Sequence, residues 1–284
     1  MGLDNPVLVT GGNGQLGRAL AKRLPAASVL DRSALDIADE SVVASVIERI
    51  RPKVIINAAA YTQVDAAEAD ESSAMAINAL GVRNLARAAE RIGAVLVHVS
   101  TDYVFKGDKQ GSYVEDDQVE PMSVYGRTKL AGERAAVEAE RFLIVRTSWV
   151  FGEGQNFIRS IVKAAATHSE LTVVDDQHGI PTYAPDLARG IVGLLEGEAS
   201  GTFHLSNGGP PTTWADLAAS ALEICGSDAT IRRVSTDEYF EGKPGPIAPR
   251  PRNSVLDCSK AAARGVVLRP WIEAVRDYVS SLDQ

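Results

Sequence analysis

A chain of 284 residues with 45% apolar and 23% charged residues can bury one large core, or a core with a smaller lobe. Its formal charge of −8 and pI near 5.1 argue against a general nucleic-acid or anionic-membrane binder, which is usually basic. Two cysteines (Cys225, Cys258) and four scattered histidines (His98, His168, His178, His204) supply neither a disulfide framework nor zinc-type spacing. Both cysteines read as small buried apolar residues in a reducing compartment. The N-terminus lacks the basic and long apolar regions of a signal peptide, and no window approaches a membrane span. The expectation is a soluble, cytoplasmic protein.

Along the first half, short apolar runs alternate with helical patterns. "PVLVT" (6–10), "ASVLD" (27–31), "VIINAAA" (54–60), "VLVHVS" (95–100) and "FLIVRTS" (142–148) read as strands. Several are apolar almost throughout, as parallel strands covered on both faces must be. Helical segments fall near 15–24, 39–50, 68–92 and 124–139. This alternation predicts an α/β fold, a doubly wound (Rossmann) parallel sheet. Residues 1–150 form the dinucleotide-binding domain in this reading, completed by segments near 181–207. Residues 151–284 form mainly a smaller C-terminal α/β substrate lobe. There "LTVVDD" and "GTFHLSN" read as strands, "TWADLAASALEIC" as a helix capped by Thr213, and "RPWIEAVRDYVSSL" as a terminal helix. "EGKPGPIAPRPRNS" (241–254) is a loop. His98, inside a buried strand, reads as a hydrogen-bonded core histidine.

"VLVTGGNGQLGRAL" places Gly11, Gly14 and Gly17 between a strand and a helix. A tight turn there favours residues without Cβ, and the helix N-terminus offers amides to a pyrophosphate. Glycine also serves bare geometry, so the strand and helix on either side carry the dinucleotide reading. Asp31 ends the second strand and can accept from an adenosine ribose, whereas Arg32 can pair with a 2′-phosphate. The expected cofactor is NADPH or NADH, with both usable.

"SVYGRTKLAGE" carries Tyr125 and Lys129 four apart on a helix, hence on one face. An isolated pair of this kind arises by chance. This one follows "HVSTDYVF", where Ser100, Thr101 and Asp102 emerge at the C-terminal end of a strand, the place where open parallel sheets bind ligands.

Taken together, the glycine turn, "NAAA" from Asn57, the strand-end Thr and Tyr125-x-x-x-Lys129 resemble the extended short-chain dehydrogenase/reductases. The longer strings "NAAAYTQVDAAE", "HVSTDYVFKGD", "VYGRTKLAGE", "RTSWVFG", "DDQHGIPT" and "RPRNSVLD" are similar to the dTDP-4-dehydrorhamnose reductase family within them. That resemblance covers nearly the whole chain. It implies an oxidoreductase of dTDP-rhamnose biosynthesis, supplying sugar for cell envelope polysaccharide. The implied reaction is NAD(P)H-dependent reduction of the C4 ketone of dTDP-6-deoxy-L-lyxo-4-hexulose.

The resemblance also implies residue roles. Tyr125 is the general acid, and Lys129 stabilises its phenolate and holds the nicotinamide ribose. Thr101 donates to the same carbonyl oxygen. Asp102, Tyr103 and Trp149 contact the sugar, although each also fits a purely structural place. Asn156 and Arg250 are candidates for the nucleotide diphosphate. For the cofactor, Gly14, Gln15 and Leu16 lie at the pyrophosphate and Asp36 and Ile37 beside the adenine. Ala60, Tyr61 and Thr62 come from the third strand's end, and Asn78 anchors that loop. Some family members bridge subunits through magnesium with an acid two places after the third glycine. Here that place is Ala19, preceded by Arg18, so no metal is expected, and the chain is a monomer or a homodimer.

Two alternatives stay open: another deoxysugar-nucleotide 4-ketoreductase, and a non-catalytic dinucleotide-binding regulatory subunit. A dehydratase is disfavoured because Tyr103 stands where those relatives carry a second carboxylate.

Overall fold

The computed structural model describes residues 6–282. Six parallel strands make the central sheet: β1 (Val7–Thr10), β2 (Ser28–Leu30), β3 (Val54–Asn57), β4 (Val95–Thr101), β5 (Phe142–Thr147) and β6 (Gly201–His204). Their spatial order is β6-β5-β4-β3-β1-β2. Among the helices of the described residues are α1 (Gln15–Arg23), α2 (Glu40–Ile50), α3 (Val64–Ala69), α4 (Gly81–Ile92), α5 (Val124–Ala136), α6 (Phe157–Ala165), α7 (Ala184–Glu196), α8 (Trp214–Ile224) and α9 (Trp271–Ser280).

Residues alternate between the two faces of each strand, so a strand covered on both sides must be apolar throughout. Val7 and Val9 of β1, with Val54 and Ile56 of β3, pack under α1 and α7 beside Leu16, Leu20, Leu187 and Ile191. Leu8 and Ile55 point the other way, into a layer built from Val43, Ile47, Val82 and Leu85 of α2 and α4. The sheet reverses its winding between β1 and β3. The crevice that opens there, at the carboxyl ends of the strands, is where such sheets take ligands.

The segment read as one helix over 68–92 is broken. Asp70 ends α3 and caps the next turn by accepting from the Ser73 amide at 3.0 Å. A π-turn over Ala76–Leu80 then leads into α4. The wider turn carries Asn78, a fully buried side chain, to the loop after β3. A π-turn inside a helix often marks a functional position.

The last expected strand of the sheet, "GTFHLSN", is β6, paired in parallel with β5. α7, just before it, packs on α1. The smaller lobe pairs Glu170–Val174 with Thr230–Val234 in parallel. It buries Phe151, Ile158, Leu217, Trp271, Val275 and Tyr278 in a core of its own. Thr213 caps α8 as expected, accepting from the Asp216 amide. Cys225 and Cys258 are free and half-buried, not fully buried. Among the described residues no helix is long and apolar enough to cross a membrane.

Candidate active site

The glycine turn comes first. Gly11 has φ +71°, and a Cβ on it would lie 2.7 Å from the Ala58 carbonyl carbon. A Cβ on Gly17 would drive into the Gly11 carbonyl oxygen. Any side chain would therefore part β1 from β3 or lift α1 off the turn. Gly14 is the N-cap of α1 and offers no side-chain cap. The first-turn amides, on Gln15, Leu16 and Gly17, thus lack intrahelical partners and point out of the helix end. Gln15 adds a buried side-chain oxygen with no hydrogen-bond partner. An open helix end beside a cradle that admits no Cβ fits a dinucleotide pyrophosphate.

The adenosine side agrees only in part with the expectations. Asp31 closes the turn after β2, accepting from the Ser33 hydroxyl (2.6 Å), the Ser33 and Ala34 amides, and Asn13 Nδ2 at 2.8 Å. These bonds, led by that of Ser33, hold its carboxyl below the usual range. Oδ2 receives only Asn13 and keeps room for a ribose hydroxyl. Arg32 is exposed and makes a 3.3 Å pair with Asp36. Ile37 can meet a base only through its backbone. Its side chain is buried, and a Cβ on Gly81 would meet its Cγ1 at 2.6 Å, so it serves the core between β2 and α4.

Asn78 clasps the strand-end loop Ala60–Thr62. Its Oδ1 accepts from the Tyr61 amide at 2.8 Å, and its Nδ2 donates to the Tyr61 carbonyl and to Thr128 Oγ1. Thr128 lies on α5 beside Lys129, so the same amide ties the loop after β3 to the helix carrying Tyr125.

β4 and α5 bring Thr101, Asp102, Tyr103, Tyr125 and Lys129 together. Ser123 caps α5 by accepting from the Gly126 amide at 3.1 Å, which fixes where Tyr125 begins. The Tyr125 hydroxyl is hydrogen-bonded to Thr101 and is pushed well above its ordinary pKa by burial and by the Asp102 charge. Thr101 Oγ1 donates to Asp102 Oδ1 at 2.9 Å and accepts from the Tyr103 amide. Its single hydrogen is therefore given to Asp102, not turned to the cleft as the sequence suggested. Asp102 is 3% exposed, and the buried Ser254 hydroxyl lies beside its carboxylate as a second partner in addition to Thr101. Burial raises its carboxyl to about 6.

Lys129 is buried, and its Nζ donates to the Val99 carbonyl of β4 at 2.6 Å. Burial lowers its ammonium to about 8, and the charge of Glu133 opposes that fall. Tyr125, Lys129 and Glu133 follow one another at four-residue spacing on one face of α5. Glu133 is itself buried and gripped by Arg146 of β5 through two bonds, 2.9 and 2.8 Å. This buried pair is absent from the sequence reading. Beneath Lys129 lies His98, fully buried. Asn57 Oδ1 is filled by the Thr10 hydroxyl and the Ala59 amide, so its Nδ2 is the end that meets His98 Nδ1, at 3.1 Å. Burial, and then the Lys129 charge, hold His98 neutral. The expectation of a hydrogen-bonded core histidine agrees with this.

The Tyr125 and Tyr103 rings meet edge-on, centroids 5.4 Å apart, and a cavity of about 980 Å3 is lined by Lys106, three residues after Tyr103, and by Met122, three before Tyr125. Lys106, Met122, Phe240, Ile247, Arg250 and Arg252 are among its lining residues. Arg250 stands within it, with its guanidinium 4.4 Å from the Phe240 ring centroid. Trp149, just past β5, has φ +49°. That is a left-handed backbone a bulky residue adopts only under constraint. Its indole stacks on Trp214 at 3.8 Å, over Gly179. Asn156 does not reach the cavity. Its Oδ1 caps α6 at the Arg159 amide, and its Nδ2 serves the Gly152 carbonyl and Tyr278 hydroxyl. Both ends are occupied by structure. Ala19 is buried against α7, and Arg18 and Lys22 both pair with Glu153.

A family model described as the RmlD substrate binding domain matches residues 5–284. A dTDP-4-dehydrorhamnose reductase of Streptomyces griseus is 42% identical over 97% of this chain and 93% of its own. A dTDP-4-keto-6-deoxy-D-glucose reductase of Streptomyces niveus is 40% identical over 94% of both chains. Among solved structures, the dTDP-4-dehydrorhamnose reductase of Bacillus anthracis, in complex with NADP, superposes with a TM-score of 0.92. It is 37% identical, covering 98% of this chain and 99% of that one.

Proposed function

Because the chain belongs to the RmlD substrate binding domain family, we propose that it is the NAD(P)H-dependent reductase of a dTDP-4-keto sugar. Its product in this reading is dTDP-L-rhamnose, made from dTDP-6-deoxy-L-lyxo-4-hexulose. The observation that carries the reading is the buried Tyr125–Thr101–Asp102 chain, set at the carboxyl end of β4 in a sheet whose first turn is the glycine cradle.

A bound nicotinamide supplies the hydride. Gln15, Leu16 and Gly17 amides would hold its pyrophosphate. Asp31 would hold the adenosine ribose, and the loop clasped by Asn78 would line the channel between. Arg32 leaves its exposed pair with Asp36 at little cost, so a 2′-phosphate can be met and both NADH and NADPH serve.

Reduction needs an acid that carries its proton at rest. Burial and the Asp102 charge keep Tyr125 protonated at neutral pH. The oxyanion that develops at C4 is a far stronger base than a phenolate, so it takes that proton. The phenolate left behind needs a cation, which Lys129 on the next turn supplies. The charge of Glu133, held in place by Arg146, favours the charged form of that lysine from behind. Thr101 transmits the charge of Asp102 to the Tyr125 hydroxyl through two hydrogen bonds. The sugar lies over Tyr103 with Trp149 at its edge, and the nucleotide diphosphate extends toward Arg250 and the cavity.

The Streptomyces niveus relative supports a second substrate, a 4-keto-6-deoxy sugar of the other configuration. Absorbance at the reduced-nicotinamide band decides between them, with each keto sugar mixed with protein and NADPH or NADH. Faster oxidation with the L-lyxo sugar supports the proposal. Faster oxidation with the 4-keto-6-deoxy-D-glucose nucleotide supports the second reading. No oxidation with either, while cofactor still binds, refutes both.

A further inference from the structure

Asp65 has no task in the mechanism above, yet it joins two distant parts of the chain. It lies on α3, beyond the strand-end loop of β3. Both of its carboxylate oxygens are taken by the Pro-rich loop more than 180 residues later. The Ala248 amide donates to Oδ1 at 2.9 Å, and Arg250 Nη2 donates to Oδ2 at 2.7 Å. Arg250 Nη1 also donates to the Ala248 carbonyl, at 2.8 Å. One face of the guanidinium covers the Phe240 ring. The arginine side chain is 15% exposed and lines the cavity. Its place is therefore fixed by a carboxylate, a carbonyl and a ring.

A guanidinium carries five N–H donors in a rigid fork. Two are used here, and three remain for a ligand. An unpartnered carboxylate at this spot would repel an anionic nucleotide. Asp65 is not unpartnered. Partial burial pushes its carboxyl up, but the hydrogen bonds and charge of Arg250 and the Ala248 amide bring it below the ordinary range. The same pair of charges reaches the hydroxyl of Tyr103, the ring beside Tyr125, while Arg250 itself stands in the cavity wall.

We infer that Asp65 is a positioning residue for the substrate. It stations the Arg250 guanidinium, and the 247–250 wall with it, so that the remaining N–H groups receive the diphosphate of the nucleotide sugar. This role rests on the nucleotide-sugar reading of the cleft. It differs from that of a plain latch between two surfaces, because it acts through Arg250.

The test is a double-mutant cycle read by calorimetry with dTDP, which has the diphosphate but no ketone. Wild type, Asp65→Asn, Arg250→Ala and the double variant are titrated, with NADPH binding measured on each. Asp65→Asn weakens dTDP about tenfold, the scale of one charge-assisted hydrogen bond. The double variant is no weaker than Arg250→Ala alone, and NADPH affinity is the same in all four. Asp65→Glu, which keeps the charge, recovers part of the loss. In turnover, Asp65→Asn raises KM for the sugar nucleotide while kcat stays within a few-fold. Unchanged or tighter dTDP binding by Asp65→Asn overturns the role and leaves the nucleotide-sugar reading standing. Additive losses in the double variant reduce Asp65 to a latch and also overturn it. A wild-type protein that binds NADPH but not dTDP overturns the nucleotide-sugar reading, and this role with it.

Discussion

Asp102 offers a prediction whose size follows from its surroundings. The carboxyl is 3% exposed and raised from 3.8 to about 6. A rise of roughly two units corresponds to about 3 kcal/mol. A carboxyl with a raised folded-state pKa binds its proton more tightly folded than unfolded. Its burial therefore costs little at pH 4. The cost grows as pH rises from about 4 to 6 and is constant above that. Asn cannot ionise, so Asp102→Asn removes this cost. The new Oδ1 still accepts from Thr101, and Nδ2 replaces the oxygen that faces the Ser254 hydroxyl. An unsatisfied amide subtracts about 1–3 kcal/mol at every pH. The pH dependence is free of that offset. Urea unfolding at pH 8 and pH 4, on either side of the pI near 5.1, gives the measure. The variant gains about 2–3 kcal/mol relative to wild type on going from pH 4 to pH 8. A stability difference that is the same at both pH values refutes the reasoning, because Asp102 would then not be held ionised against its burial.

Tyr125→Phe removes only a hydroxyl, so fold and NADPH binding persist while turnover falls about 10²–10⁴-fold in stopped-flow oxidation; near-wild-type turnover would discard the acid. Lys129, lowered to about 8 by burial, makes kcat/KM constant below that pH and falling above it as the ammonium is lost; a flat profile through pH 9.5 would contradict its role. Its burial also costs stability below pH 8, and that cost is relieved as pH rises toward the ordinary lysine value. Glu133→Gln leaves Arg146 buried with half a partner and destabilises by about 3–5 kcal/mol in urea. It also moves the basic limb of the rate profile to lower pH, which substitution of a merely structural ion pair would not do.

Much of the site was legible because it is local. The glycine turn joins β1 to α1 directly, and Tyr125 and Lys129 share a face of α5 by spacing alone. Thr101 ends an apolar strand, and that ending shows in the sequence. The sheet was legible for a similar reason, since strands buried on both faces lose their alternation. What the sequence concealed is set by contacts between distant segments. Asn156 looked free until α6 was seen to need a cap. Ile37 looked like a flank for adenine, but Gly81 on α4 leaves its side chain a slot in the core. The hydrogen of Thr101 went to Asp102, a neighbour whose burial depends on how the lobe's loop closes. Asp65 with Arg250, and Glu133 with Arg146, are charge pairs between segments whose approach only the fold determines. The winding reversal between β1 and β3, together with the π-turn carrying Asn78, decides how these parts meet, and neither has a periodic signature.

The central claim is that the site passes a hydride to C4 of a dTDP-4-keto sugar and a proton from Tyr125 to its oxygen. The most direct measurement uses NADPH carrying deuterium at its transferable position, incubated with the protein and dTDP-6-deoxy-L-lyxo-4-hexulose, the product being analysed by NMR. The account predicts dTDP-L-rhamnose with one deuterium, at C4, in wild type and almost none in Tyr125→Phe. Recovery of the keto sugar unreduced, or a product with deuterium elsewhere or absent, would contradict it.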